Sequence, residues 1–268
     1  MKNTEKTYIG IDIGGTGIKG GIVDTEFGEL VGERYRIPTP QPATPEAVAD
    51  VVKEIIDHFV DPDEEDTVIG VTFPAIIKGG VAKIAANVDK SWIGTNVAET
   101  IAKKTDHKVH VVNDADAAGV AEWHYGAGKR KKGVQLTLTL GTGIGSALIL
   151  DGNLVRNTEL GHLELNGHDA ETKASASARK RQGLGYKKYA KKRLVPYFKH
   201  VEMLFSPDLF IVGGGISKRS KDWLPYLQEQ IDTPIEVAGL INNAGIVGAA
   251  ALAKTYFERD NRGKDILY

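Results

Sequence analysis

The sequence predicts an α/β protein built on a repeated glycine-turn hairpin. Val134 to Asp151 alternates Gln135, Thr137 and Thr139 with Val134, Leu136, Leu138 and Leu140. It breaks at Gly141-Thr142-Gly143-Ile144-Gly145 and resumes as Ala147-Leu148-Ile149-Leu150, which reads as strand, turn, strand. Tyr8 to Asp24, YIGIDIGGTGIKGGIVD, repeats the design, with Thr16-Gly17-Ile18 matching Thr142-Gly143-Ile144. Elsewhere, short apolar runs alternate with stretches of helical period, the order of an α/β chain. One such hairpin in each half suggests a duplicated architecture.

The elements follow in order. Tyr8–Ile13 and Ile18–Asp24 are strands around the first glycine turn, and Glu29–Ile37 is a third, ended by Pro38, Pro40 and Pro42. Pro45 opens a helix at its first turn, where a missing N–H costs nothing; Val48, Val51, Val52, Ile55, Ile56 and Phe59 keep helical spacing. The acidic run 61–66 reads as a solvated loop. Val68–Phe73 is a buried strand, and 75–95 is loop-rich, with Asn87 and Ser91-Trp92 its notable side chains. Val97–Thr105 is a helix, Val109–Val112 a strand, and Ala115–Tyr125 a helix. After the central hairpin, Asn157 to Asp169 reads as a loop. A basic helical segment runs from about Glu171 to Phe205, interrupted at Gly183–Gly185 and bent by Pro196. Leu209–Val212 is a strand running into Gly213-Gly214-Gly215. A helix (219–230), a strand (Ile235–Ala238) and an apolar helix (Ala244–Lys254) complete the chain. The hinge is expected near Val112–Asp114. Residues 1–112, with a C-terminal helix at about 252–268, then form a smaller lobe, and 113–251 a larger one.

At 268 residues the chain can bury a sizeable core, and 41% hydrophobic and 26% charged residues are ordinary for a globular protein. A net charge of −1 supplies no global attraction for a polyanion, so any such preference must come from local clusters. The absence of cysteine excludes disulfides, thiol catalysis and cysteine-held zinc. No apolar signal core opens the sequence and no apolar run approaches membrane-spanning length, so a cytoplasmic protein with no membrane partner is expected.

The glycine turns have a chemical reading. Glycine lets backbone N–H groups approach an anion closely, and a threonine hydroxyl adds a donor. Two such turns suit a polyphosphate chain. Asp114 directly follows a buried strand, where ligands of open α/β sheets bind. Asn113-Asp114 also suits a helix N-cap, and one residue can cap while the other serves a site. Glu159 and His162 lie in a glycine-containing loop, where polar side chains gather more often for binding than for packing; from spacing alone an ordinary surface-loop pair is the other reading. No histidine pattern of the HExxH type occurs.

Asp12-Ile13-Gly14-Gly15-Thr16, Asn113-Asp114, Leu140-Gly141-Thr142-Gly143-Ile144-Gly145, Glu159-Leu160-Gly161-His162 and Gly213-Gly214-Gly215-Ile216-Ser217, in this order, resemble the ROK family of sugar kinases and repressors. The resemblance covers nearly the whole chain. It implies the two-lobed actin/hexokinase-like (ribonuclease H-like) fold, with sugar and phosphoryl donor in a central cleft. By the same resemblance Asp114 is the catalytic base at the sugar 6-hydroxyl, and Asn113 its sugar-binding neighbour. Glu159, His162, Glu171 and Asn87 are the remaining sugar ligands. Asp12, Gly14, Gly15, Thr16, Lys19, Gly141, Thr142 and Gly143 form the phosphate and magnesium loops. Gly214 and Gly215 form the nucleotide-side loop. The implied cofactor is Mg²⁺, carried with the donor phosphates and near Asp12. Many members hold a cysteine-rich zinc element before the residue matching Glu171. Here it is absent, and the interval from His162 to Glu171 is too short for it, so no zinc is expected.

In its place stands a basic segment without acids: Lys173, Arg179, Lys180, Arg181, Lys187, Lys188, Lys191, Lys192 and Arg193. Gly128-Lys129-Arg130-Lys131-Lys132-Gly133 adds a basic turn, and both are expected beside the phosphate turns. Such zinc-free, Lys/Arg-rich members resemble polyphosphate glucokinases, and the likeness extends to LTLGTGIGSAL and to SWIGTN at 91–96. The expected reaction is transfer from inorganic polyphosphate, ATP or both to glucose, with mannose as a further acceptor, by a monomer or homodimer. An ATP-only kinase for another sugar, a sugar-responsive repressor and an actin-like ATPase are the alternatives. A repressor would carry a helix-turn-helix segment before Tyr8, where seven residues stand, and no nucleic-acid partner is expected.

Overall fold

The structure is a computed structural model describing residues 7–60, 67–85, 88–240 and 243–260. The acidic run at 61–66 and Asn87 lie outside the described residues. In chain order the elements are β1 (Thr7–Ile13), β2 (Ile18–Asp24), β3 (Glu29–Ile37), α1 (Pro45–Phe59), β4 (Val68–Phe73), β5 (Ile77–Lys78), β6 (Val81–Ala82), α2 (Val97–Thr105), β7 (Lys108–Asn113) and α3 (Asp114–Tyr125). They continue as β8 (Val134–Leu140), β9 (Ile144–Leu150), β10 (Asn153–Val155), α4 (Glu171–Ala174), α5 (Ala176–Arg181), α6 (Tyr186–Tyr189), α7 (Val195–Phe205), β11 (Leu209–Gly213), α8 (Leu224–Gln228), β12 (Ile235–Val237) and α9 (Ala244–Asp260).

Two compact units share these elements: Met1–Ala121 with Asn243–Tyr268, and Glu122–Asn242. Each holds a five-stranded sheet, ordered β3-β2-β1-β4-β7 in the first and β10-β9-β8-β11-β12 in the second. In both, two antiparallel pairings lead into two parallel ones. The duplication visible in two hairpins therefore extends to whole sheets. Parallel pairing gathers the C-terminal ends of β1, β4 and β7 at one edge, and those of β8, β11 and β12 at another. Those edges are where ligands of open α/β sheets bind, and the glycine turns stand on them. The interior strands β4 (VIGVTF) and β11 (LFIVG) are buried at every position, the continuous apolar run that two-sided burial selects.

The partition differs from the sequence reading at 113–121 and 243–251, which belong with the first unit. The reason is a close helix–sheet approach. A Cβ on Gly10 of β1 would stand 1.9 Å from the carbonyl oxygen of Ile246, and one on Gly70 of β4 2.0 Å from that of Ala249. Only glycine lets α9 lie that near the strands. Its Ile246, Val247, Ala249, Ala250, Ala251 and Ala253 are buried.

The basic segment is more broken than its periodicity suggests. It comprises α4, α5, α6, a π-helical turn at Ala190–Leu194, and α7 with Pro196 in its first turn. The π turn absorbs the disruption that a proline introduces into a continuing helix. The expected helix at 219–230 is a 3-10 stretch, Gly215–Asp222, followed by the short α8. The basic turn 129–132 is misplaced by the sequence reading. It precedes β8 while the glycine turn follows it, and seven strand residues at about 3.4 Å each put some 20 Å between them. Lys131 there forms an ion pair with Glu236.

Candidate functional site

In the first unit, β1 delivers Asp12 and the turn Gly14–Gly17 to the sheet edge. Gly14 N–H donates to Gly17 O at 3.1 Å, closing the turn. One Asp12 oxygen accepts the Thr72 hydroxyl at 2.7 Å, and the other meets Lys19 Nζ at 2.7 Å, so two of the expected donor-site residues are partners. Arg36 and Thr39 hold the turn from β3 and its end. Arg36 Nη2 donates to Thr16 O at 2.9 Å, and the Thr39 hydroxyl donates to Gly14 O. Lys19 and Arg36 are cross-strand neighbours in the β2–β3 register. The sequence reading missed Arg36, Thr39 and Thr72, because only strand pairing brings them to the turn.

At the end of β7 the two neighbouring residues take different parts. Asn113, 8% exposed, accepts the N–H groups of Ala115 at 2.8 Å and Asp116 at 3.1 Å through Oδ1, and its Nδ2 donates to Ala75 O at 3.1 Å. It is the cap of α3. Asp114 is exposed, with Oδ1 accepting Ala115 N–H at 2.9 Å. Ser91-Trp92 is structural: Trp92 is fully buried and its Nε1 donates to Ala43 O at 2.9 Å.

In the second unit three segments converge. The turn after β8 is closed by Gly141 N–H to Gly143 O at 3.0 Å, and Ser177 N–H of α5 donates to Gly141 O at 3.0 Å. Glu171 Oε2 accepts Ile144 N–H at 2.9 Å, and a Cβ on Gly143 would stand 2.2 Å from that oxygen. The loop carrying Glu159 and His162 lies against the same turn: a Cβ on Gly161 would stand 2.2 Å from Ile144 O. Ser146 of β9 secures that loop, accepting Leu160 N–H at 3.0 Å and donating to Thr158 O. Of two buried tyrosines, one braces this loop and the other the end of α4. Tyr197 donates to Leu160 O at 3.2 Å and Tyr189 donates to Ala174 O, and burial raises both phenol pKa values. The Gly214 turn also reaches β8: Gly214 takes φ 81° and a Cβ there would stand 2.5 Å from Leu140 O. Ser217 N–H and hydroxyl both donate to Gly214 O, at 3.1 and 2.7 Å. Thus Gly141–Gly143, Glu159, His162, Glu171 and Gly214–Gly215 gather at one edge of the second sheet.

The charges there are coupled. Burial raises the Glu159 carboxyl pKa; His162 opposes the shift and Glu171 adds to it. His162 is shifted upward, chiefly by its hydrogen bond to Asp169 at 2.7 Å, with Glu171 and Glu159 adding. Ligand atoms of His162, Asp169 and Glu171 lie within 4.8 Å of one another, and the His162–Asp169 contact is a direct hydrogen bond.

None of the basic residues from Lys173 to Arg193 forms an ion pair with a carboxylate among the described residues. Three of them, and Arg219 beyond the run, lie over aromatic rings instead. Arg179 and Arg219 lie 4.2 and 5.5 Å from the Tyr186 ring centre, and Lys187 and Lys191 5.2 and 5.7 Å from that of Tyr226. Arg219 was missed because it follows β11, outside the basic run.

Comparisons with known proteins bear on this arrangement. Residues 8–180 match the model of the ROK family. A polyphosphate glucokinase of Mycobacterium tuberculosis is 49% identical over 248 residues, covering 92% of this chain and 91% of the relative. The crystal structure of an inorganic polyphosphate/ATP-glucomannokinase from Arthrobacter sp. strain KM superposes with a TM-score of 0.87 at 57% identity, covering 94% of this chain and 99% of that one. A ROK family glucokinase from Streptomyces griseus, solved with glucose and AMPPNP, superposes at 0.73 with 25% identity, covering 93% and 99%.

Proposed function

The chain belongs to the ROK family and has its actin/hexokinase-like fold, and we propose that it transfers a phosphoryl group from inorganic polyphosphate, and from ATP, to the 6-hydroxyl of glucose. The observation that carries the reading is the 2.9 Å contact of Glu171 with the backbone of the Gly141–Gly145 turn. It ties a carboxylate able to read sugar hydroxyls to a turn built for phosphate. The names of the mycobacterial and Arthrobacter relatives support glucose as acceptor and polyphosphate as donor. The Arthrobacter name also supports mannose as a further acceptor.

Asp114 takes the proton of the 6-hydroxyl, a weak nucleophile until an aligned carboxylate accepts it. Glu159, His162 and Glu171 read ring hydroxyls, each of which donates and accepts. Asn113 keeps Asp114 at the start of α3, and its second Nδ2 hydrogen is available to the sugar. The N–H groups of Gly15 and Thr16, with Lys19 and Arg36, and those of Thr142 and Gly143 are assigned to donor phosphates. Asp12 fits a magnesium ion that arrives with the donor: it is an oxygen donor, and each of its oxygens has one partner and can accept another. When bound, that ion neutralises phosphate charge during transfer. The unpaired cations of 173–193 favour a donor longer than ATP.

The test is a matrix of ATP and long-chain polyphosphate against glucose, mannose, fructose and N-acetylglucosamine. Glucose is expected to be the best acceptor with either donor. A preference for fructose or N-acetylglucosamine would contradict the acceptor assignment.

A further inference from the structure

The segment joining His162 to Glu171 is folded by its own sequence into a tight hairpin. Asn166 and Gly167 take φ values of 54° and 76°. The I′ hairpin turn requires positive φ at both positions, and Asn-Gly adopts it most readily. Leu165 N–H donates to His168 O at 2.8 Å, Glu164 bridges Asp169, and Ala170 N–H donates to Leu163 O at 2.9 Å. This return brings Asp169 beside His162. Its Oδ2 is 2.7 Å from His162 Nδ1, and its Oδ1 accepts Glu171 N–H at 3.1 Å. Its backbone oxygen accepts the N–H and hydroxyl of Thr172 at 3.1 and 2.6 Å. Asp169 therefore spends its acceptors on the imidazole and on the first turn of α4.

We infer that Asp169 is a positioning residue for sugar binding, its divided carboxylate fixing the His162 ring and the Glu171 backbone as one unit. This rests on the reading of His162 and Glu171 as sugar contacts. An ionised carboxylate only accepts, so Nδ1 carries the hydrogen; at a pH above the raised pKa of His162 the ring is neutral and presents Nε2 as an acceptor to a sugar hydroxyl. Without Asp169 the ring proton divides between the two nitrogens, and that acceptor is present only part of the time. Glu171 is held from two sides, by Asp169 at its N–H and by Ile144 N–H at its carboxylate. Asp169 acts through both side chains.

The test combines histidine-ring ¹⁵N NMR with glucose kinetics at saturating ATP. It uses the full chain as wild type, Asp169→Asn, Asp169→Glu, His162→Gln and the Asp169→Asn/His162→Gln double variant. At a pH where the His162 ring is neutral, wild type is expected to show it as the Nδ1–H tautomer, and Asp169→Asn to lose it. Asp169→Asn should raise the glucose KM roughly tenfold with a much smaller change in kcat, as a misplaced binding group does. Asp169→Glu, which keeps the carboxylate, should recover part of that loss. On top of His162→Gln, Asp169→Asn should add less than it does alone. An Nε2–H tautomer in wild type overturns the inference whether or not any variant folds. So does one equivalent of bound metal that Asp169→Asn releases, because the carboxylate would then be a metal ligand. A glucose KM raised by His162→Gln but not by Asp169→Asn overturns the inference alone. A KM unchanged in both overturns the sugar assignment and the inference with it.

Discussion

Asp114 and Asn113 divide the end of β7 between them, and that division makes a sharp prediction possible. Asn113 already supplies two hydrogen bonds to the opening N–H groups of α3. Asp114→Asn therefore changes a proton acceptor without removing the helix cap. The variant is expected to fold and to bind glucose, while turnover falls on the order of 10²-fold or more, the loss expected when a general base is removed. Tryptophan fluorescence titration with glucose, beside steady-state rates, checks it. Turnover near that of wild type in a folded variant would remove Asp114 from the chemistry. The sequence alone left the two roles open; the side-chain partners assign the cap to Asn113.

At the scale of elements, the basic segment and its braces give two expectations. Lys187, Lys188, Lys191 and Lys192 are exposed, and no described carboxylate pairs with them. Changing all four to Ala should lower polyphosphate-driven turnover more than ATP-driven turnover. It should also flatten the salt dependence, since fewer counterions are exchanged when a polyanion binds. Equal losses with both donors across a salt series would assign these lysines to a solvated face. Tyr197 works from within. Its hydroxyl, fully buried, supports the carbonyl of Leu160 in the loop between Glu159 and His162. Tyr197→Phe leaves that acceptor short of a partner and should cost about 1–3 kcal/mol. Thermal unfolding should show a lower Tm, and the glucose KM should rise as the loop loosens; no change in either would contradict the bracing role. Much at this scale was legible from local pattern: α2 and the β8–β9 hairpin stand where periodicity placed them. The Asn166-Gly167 turn carries a local signal, an Asn-Gly pair between Leu165 and His168, although its polar surroundings read as loop. Pro196 signalled a bend in the basic segment, but not that a π turn would take it up.

At the scale of the molecule, the repeated hairpin proved to be the visible part of a repeated sheet, with both glycine turns on C-terminal strand edges. Sequence pattern reached the turns, Asp114 and the Glu159–His162 loop because each is a local motif. It did not reach Arg36, Thr39 and Thr72, which strand register brings to the first glycine turn and Asp12, or Arg219, which meets the Tyr186 ring. The unit boundaries escaped it for a similar reason: Gly10 and Gly70 admit α9 to the first sheet, and nothing near them in sequence announces that contact. The basic turn at 129–132 shows the converse error, since adjacency to β8 in sequence put it at the wrong end of the strand. What joins these observations is one claim, that a chain of phosphates donates to glucose at these turns. Its most direct measurement is a ³¹P NMR time course with glucose, Mg²⁺ and long-chain polyphosphate as the only donor, at low salt. Glucose 6-phosphate is expected to accumulate as polyphosphate is consumed. No glucose 6-phosphate from polyphosphate, beside ready formation from ATP in the same preparation, would contradict the account.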